Sequence, residues 1–127
     1  MTRSAILQAW RSGETGTETG TLQGLLAENA TFSSPVADYV GAAPAAHLLA
    51  LIAGIVEDVC PGPEWGDEND TVTAFTARFQ GDEVQGILRE QRDDSGALVH
   101  VTLFLRPYRT LRAAIQRMGE LLARNPL

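Results

Sequence analysis

Apolar and polar residues alternate in three successive stretches of the second half of the chain, which is the pattern of β-strands with one buried face. The stretches are residues 71–80, 84–92 and 98–106. In the last one, a wholly apolar face is formed by Val99, Val101, Leu103 and Leu105. The connections between the stretches are short and consist of turn-forming residues, Gly81-Asp82 and Asp93-Asp94-Ser95-Gly96. We therefore predict three strands that pair antiparallel.

Apolar residues spaced by three or four positions predict helices in the remaining parts of the chain. This spacing occurs around Trp10, around Leu25, over residues 44–59 and after Pro107. Between the second and third helices, Phe32 marks a short strand that Pro35 ends. The segment of residues 60–63, Cys-Pro-Gly-Pro, is expected to stop the long helix, and the acidic residues between positions 57 and 70 are expected in a solvated loop.

The order of these elements indicates the fold class. Two helices, a strand and a long helix precede three consecutive strands and a terminal helix. Strands joined by tight turns form an antiparallel sheet, and helices with one apolar face must cover such a sheet. The sequence therefore predicts an α+β fold, with a curved, mostly antiparallel sheet and helices on one face. The length of 127 residues predicts one domain over residues 1–127.

Composition and charge exclude several classes of function. A net charge of −6 argues against nucleic-acid binding, because neutralising phosphates requires a cationic face. All ten basic residues are arginine, which excludes Schiff-base chemistry on lysine. Cys60 is the only cysteine, so an internal disulfide and a multi-cysteine zinc site are excluded. No apolar run reaches the ~20 residues of a membrane span, and the first residues do not form a signal segment. A cytoplasmic protein is expected.

Several short motifs occur in an informative order along residues 3–106. They are Leu-Leu-Ala-Glu-Asn-Ala-Thr-Phe at 25–32, Ser34-Pro35, Gly41 before the long helix, Asp-Asp-Ser-Gly at 93–96, and Leu-Arg-Pro at 105–107. Their order and spacing resemble the nuclear transport factor 2-like superfamily. This superfamily includes ketosteroid isomerases, SnoaL-like polyketide cyclases and limonene epoxide hydrolases.

The resemblance implies a cone-shaped, strongly curved sheet with helices packed on its concave face, as in cystatin-like proteins. It also implies an apolar pocket that binds a small hydrophobic ligand without a cofactor or a metal. The residues that the resemblance places at the pocket are Trp10, Leu26, Ser34, Tyr39, Phe75, Leu88, Val101, Leu103 and Leu105.

Ketosteroid isomerase chemistry does not carry over to this chain. It requires a carboxylate base and two acidic hydrogen-bond donors around the substrate oxygen. The resemblance places Ser34 at the base position, and Leu88 and Trp10 at the donor positions. A serine hydroxyl does not accept a proton near neutral pH, and leucine has none to donate. The favoured hypothesis is therefore a protein that binds a small molecule without this activity.

A second hypothesis is a SnoaL-like cyclase, isomerase or hydrolase that acts on a hydrophobic small molecule. Such chemistry needs only one acid or base near an acidic carbon. Asp38 and Tyr39, in the segment after Pro35, are the candidate catalytic residues. The hypothesis requires Asp38 to face the pocket, because partial desolvation would then raise the pKa of its carboxyl group.

A third hypothesis is a non-catalytic interaction module. The resemblance implies a homodimer that forms through the outer face of the sheet. The outward positions are Gln85, Ile87, Arg89, His100, Thr102 and Phe104. His100 is expected to pack in this interface, and His47 is expected at the surface of the long helix. The two histidines are too differently placed to predict a metal site.

Overall fold

The computed structural model describes residues 3–12 and 19–127. The helices are α1 (Ala5–Ser12), α2 (Thr19–Leu25), α3 (Ala42–Ala53) and α4 (Tyr108–Arg124). The strands are β1 (Leu26–Ser33), β2 (Asp38–Val40), β3 (Glu57–Gly66), β4 (Asp70–Phe79), β5 (Asp82–Arg92) and β6 (Leu98–Arg106). The three alternating stretches of the sequence therefore correspond to β4, β5 and β6.

The six strands form one curved sheet in the order β2-β1-β6-β5-β4-β3. All neighbouring strands are antiparallel except β1 and β6, which are parallel. The parallel pair places β1 beside the last strand, with the short β2 on its other side. This confirms the predicted α+β class with a mostly antiparallel sheet.

Strand β3 lies in a region where the sequence predicted the end of a helix and a loop. The predicted helix end is wrong, and the predicted loop is wrong except at residues 67–69, which connect β3 and β4. Helix α3 ends at Ala53 and is capped by Gly54, whose amide donates to the Leu51 carbonyl oxygen at 3.0 Å. The chain then extends along β4 from Glu57 to Gly66. Strand β3 is at the edge of the sheet and pairs with β4 only. A proline, which has no amide hydrogen to donate, is accommodated in such a strand because one side needs no hydrogen bonds to a neighbour. Pro61 is therefore tolerated in it.

Strand β6 carries a bulge that the alternation did not predict. Gln91 pairs with His100 and Arg92 pairs with Leu98, so Val99 is the additional residue. Leu98 is consequently buried, whereas Val99 is only half-buried. From Val101 onwards the alternation follows the predicted parity.

The hydrophobic core lies between the inner face of the sheet and helices α1, α2 and α3. At its centre, the ring of Phe75 packs edge-on against Trp10, with ring centroids 5.9 Å apart. Phe75 pairs with Gly86 on β5, and Leu105 pairs with Gly86 from the other side. A Cβ atom on Gly86 would lie 2.3 Å from Cζ of Phe75. The absence of a side chain at Gly86 therefore lets the aromatic ring lie across β5.

Candidate functional site

A cavity of about 230 Å³ lies between the concave side of the sheet and helix α4. Its floor is formed by the inward-facing ends of β4, β5 and β6, and its walls by α3 and the β1–β2 connection. The residues that line it are Phe32, Ser34, Pro35, Val36, Tyr39, Leu48, Ile52, Ile55, Val56, Phe79, Val84, Leu103, Leu105, Leu111, Ala114, Ile115, Met118, Gly119 and Leu122. The lining is almost entirely apolar.

Helix α4 covers this cavity and does not pack tightly into the core. Its apolar stripe predicted a packed helix, but Thr110 is its only buried residue in the described structure. The stripe residues Leu111, Met118 and Leu122 are half-buried, and they line the cavity. The far end of α4 is tied to α3, where Nε2 of His47 donates to the Asn125 carbonyl oxygen at 2.7 Å. The cavity therefore exists because α4 spans the mouth of the curved sheet.

Ser34 is one of two hydrogen-bonding side chains in the cavity lining, and its hydroxyl group is fully used. The Ser34 Oγ donates to the Ala37 carbonyl oxygen at 3.0 Å. It also accepts from the amides of Val36 and Ala37, both at 3.2 Å. One donated and two accepted bonds exhaust the capacity of a hydroxyl group. Ser34 therefore shapes the turn after β1 and is neither a base nor a free ligand contact.

Tyr39 is the second hydrogen-bonding side chain of the lining. It lies on β2 opposite Phe32, and the two rings stack with centroids 6.4 Å apart and an interplanar angle of 26°. Opposite residues of an antiparallel pair share one face of the sheet, so Tyr39 is on the concave side with the buried Phe32. Its hydroxyl group makes no hydrogen bond to the part of the chain that the structure describes.

The other two positions that the resemblance matched to isomerase groups lie deeper in the molecule. Leu88 is fully buried in the core. Trp10 is also buried, and its Nε1 donates to the Leu49 carbonyl oxygen at 2.9 Å. Among the described residues, the cavity lining contains no aspartate, glutamate or histidine. Within the part of the chain that the structure describes, no carboxyl or imidazole group is therefore brought to the cavity.

The structure separates the residues that the sequence placed together at the pocket. Ser34, Tyr39, Leu103 and Leu105 line the cavity. The other five are part of the packed core, and they are Trp10, Leu26, Phe75, Leu88 and Val101. Asp38 is exposed on β2 and is not among the lining residues. The Asp38 arrangement that the catalytic hypothesis requires is therefore not found.

Most of the cavity wall was not predicted from the sequence. Phe79 and Val84 lie at the inward-facing ends of β4 and β5, and Ile55 and Val56 follow α3. The strongest missed signal is the apolar stripe of α4, whose periodicity was visible in the sequence. That periodicity identifies an apolar face but does not tell whether the face meets side chains or a cavity.

A second concavity, which we call the outer groove, lies on the convex face of the sheet and has a volume of about 540 Å³. It runs across the four strands β3 to β6, between Cys60 and Phe104. Phe104 is 57% exposed, and Trp65, also on the convex face, is 54% exposed. His100 lies on the same face, with its Nε2 3.2 Å from the Ser33 Oγ. The convex face therefore exposes large apolar side chains.

One buried acid lies away from both concavities. Glu90, on the inward face of β5, is 0% exposed, and its Oε2 accepts from Nη2 of Arg92 at 3.4 Å. Burial raises the pKa of Glu90, and the negative charge of Glu64 acts in the same direction. The Ser4 hydroxyl, the charge of Arg92 and the Ile6 amide oppose this shift. Glu90 therefore sits beneath the first turn of α1 as a structural acid.

Three of the solved structures that are similar to this one come from bacterial proteins. An uncharacterised protein with a cystatin-like fold from Silicibacter pomeroyi has a TM-score of 0.83 at 17% identity, over 95% of this chain and 87% of that chain. A steroid delta-isomerase from Pseudomonas aeruginosa has a TM-score of 0.78 at 27% identity, over 96% of this chain and 95% of that chain. A SnoaL-like protein from Agrobacterium tumefaciens has a TM-score of 0.65 at 19% identity, over 80% of this chain and 91% of that chain.

These neighbours define the class of the protein. The chain has the cystatin-like, nuclear transport factor 2-like fold, which confirms the resemblance found in the sequence. No protein-family model and no curated protein sequence matches it.

The described residues also bear on membrane insertion and metal binding. Over residues 3–12 and 19–127, no helix is long and apolar enough to cross a membrane. The same residues contain no group of three or more histidine, cysteine, aspartate or glutamate side chains that could hold a metal ion. The cytoplasmic location stays a prediction from the sequence.

Proposed function

We propose that this protein binds a small, largely apolar organic molecule in the cavity beneath α4, without ketosteroid isomerase chemistry. The observation that supports this proposal is the composition of the lining. Among the described residues, all lining side chains are apolar except those of Ser34 and Tyr39. Ligand pockets are typically apolar, with a few polar groups that fix orientation. For a ligand without charge, the free-energy cost of losing its hydration shell in such a cavity is small.

The size of the cavity limits the ligand. A volume of about 230 Å³ is below the ~300–1,000 Å³ that is typical of sites for drug-sized molecules. The expected ligand therefore has one or two rings, or a short branched chain, and is smaller than a four-ring steroid. The neighbour from Pseudomonas aeruginosa is a steroid delta-isomerase, but the fold alone does not transfer that substrate to this chain.

An enzymatic function through Asp38 and Tyr39 is the weaker alternative. It needs a carboxylate in contact with the substrate, and Asp38 is exposed outside the cavity lining. Tyr39 by itself can donate and accept a hydrogen bond, but among the described lining residues no carboxylate or imidazole accompanies it to act as a base. Binding is therefore the better supported function.

The proposal is tested by filling the cavity. Ala114 lines it, whereas the neighbouring Ala113 is exposed and does not. We expect Ala114→Phe to abolish the binding of one- and two-ring probes, such as naphthalene and indole, measured by isothermal titration calorimetry. The matched variant Ala113→Phe should bind as the wild type does. If no probe binds to the wild-type protein, or if both variants bind equally well, the proposal is wrong.

We further propose that the protein forms a homodimer through the convex face of the sheet. The support is the exposure of Trp65 and Phe104 on one face, beside the half-buried Val72, Ala74 and Ile87. Large exposed apolar patches are uncommon on monomers and often mark association sites. Interface centres are also enriched in aromatic residues.

The dimer is tested by light scattering coupled to gel filtration at micromolar concentration. Phe104→Glu places a charge on the convex face and is expected to give a monomer. Tyr108→Glu alters a comparably exposed aromatic residue, 72% exposed, at the start of α4 and should leave the dimer intact. A monomeric wild-type protein would refute this proposal and leave the ligand-binding proposal unaffected.

A further inference from the structure

Among the described residues of the cavity lining, only one polar side-chain group is free to contact a ligand. The Ser34 hydroxyl is exhausted by its three bonds within the β1–β2 turn. The Tyr39 hydroxyl makes no hydrogen bond within residues 3–12 and 19–127. All other lining side chains are apolar. A polar atom on a bound molecule would therefore depend on Tyr39 for a hydrogen bond to a side chain.

The Tyr39 side chain is restricted by the sheet. Tyr39 is paired with Phe32 through the β1–β2 ladder, and its ring is stacked on the ring of Phe32. A tyrosine side chain has only two rotatable angles, and stacking restricts both. Tyr39 lines the cavity with its ring held in this stack, so little side-chain entropy is lost when it contacts a ligand.

The charge of the lining also restricts the ligand. None of its described residues carries a charge, so a carboxylate or an ammonium group on the ligand would be buried without a counter-ion. Burying an unpaired charge is far more costly than burying a neutral group with one hydrogen bond. Neutral hydroxyl and carbonyl groups remain as suitable partners for Tyr39.

From these observations we infer that Tyr39 is the specificity-determining residue of the cavity. It selects neutral molecules with an apolar body of one or two rings and a single terminal hydroxyl or carbonyl group. This inference rests on the proposed binding function and adds to it the chemical class of the ligand. It assigns Tyr39 a role in recognition and not in catalysis.

The experiment compares three probes of the same ring system by isothermal titration calorimetry: naphthalene, 2-naphthol and 2-naphthoate. For the wild-type protein we expect 2-naphthol to bind about 2- to 12-fold more tightly than naphthalene, the ratio that corresponds to one net hydrogen bond. No binding of 2-naphthoate is expected. Tyr39→Phe should abolish the preference for 2-naphthol and retain naphthalene binding. The control Tyr108→Phe should keep the preference, because Tyr108 does not line the cavity.

The outcomes separate the inference from the function on which it rests. If naphthalene binds, but 2-naphthol has no advantage or keeps its advantage in Tyr39→Phe, the role of Tyr39 is refuted and the binding function stands. Preferred binding of 2-naphthoate would refute the neutral ligand class. If none of the three probes binds to the wild-type protein, both the binding function and the inference fail.

Discussion

Replacing Gly86 with alanine introduces one methyl group at the tightest point of the sheet. The new Cβ would lie 2.3 Å from Cζ and 2.5 Å from Cε1 of Phe75, and 3.0 Å from Cδ2 of Leu105. Ordinary van der Waals contact begins at 3.4 Å, so the phenyl ring would have to move by about an ångström. Phe75 is only 4% exposed and packs against Trp10, so it has little room to move.

Overpacking of this kind costs ~1–3 kcal/mol of unfolding free energy. We expect urea unfolding of Gly86→Ala to show this loss as a fall in the midpoint of about 1 M, for an m-value of about 2 kcal/mol per M. Gly119→Ala is the control, because a Cβ at Gly119 in α4 meets no heavy atom within 4 Å. That variant should be stabilised by ~0.5–1 kcal/mol, since glycine is unfavourable inside a helix.

A second substitution tests whether the Phe75 ring causes the loss. Phe75→Leu removes the outer ring carbons that a Cβ on Gly86 would contact. The two substitutions should show a coupling free energy of about 1 kcal/mol or more. The double variant should therefore have a higher unfolding free energy than the sum of the two single losses predicts. Additive effects, or a Gly86→Ala variant as stable as the wild type, would refute the packing argument.

Two further predictions concern polar groups in the core. Glu90 holds its proton more strongly in the folded chain than in the unfolded chain, so wild-type stability should fall as pH rises from the usual glutamate pKa through the raised pKa of Glu90. Measured by urea unfolding, Glu90→Gln should therefore have a higher unfolding free energy than the wild type at pH 7 and a similar one at pH 4. An equal difference in unfolding free energy at both pH values would contradict the raised pKa. Trp10→Phe removes the donor to the Leu49 carbonyl oxygen and should cost ~1–3 kcal/mol of unfolding free energy. The control is Trp65→Phe, at a residue that is 54% exposed, and it should change the unfolding free energy by less than ~0.5 kcal/mol. Similar losses in both variants would argue against a role for the hydrogen bond.

The sequence predicts the strands that are buried on one face and fails for the strand at the edge. Strands β4, β5 and β6 alternate because one of their faces meets the core. Strand β3 lacks this pattern, because it has a neighbour on one side only and carries Pro61 and Pro63. Its composition is therefore typical of a loop, and only the tertiary pairing with β4 makes it a strand.

The candidate site is less predictable than the fold. A pocket is the space that remains when helices and strands have packed, and its position depends on shifts smaller than a side chain. The alternation identified the inward faces but not where they separate from the helices, so Leu88 and Val101 were placed at the pocket and are found in the core. The free hydroxyl of Tyr39 and the saturated hydroxyl of Ser34 likewise depend on turn geometry that residue types do not reveal.

The two edges of the sheet have a consequence for how chains of this protein meet. One edge, β2, is only three residues long, and the other, β3, contains two prolines that lack an amide hydrogen. Short or proline-bearing edges do not template the addition of further strands, which is the step that propagates fibrils. At high concentration, self-association of the folded chain should therefore proceed through side chains on the convex face and stop at small, closed assemblies.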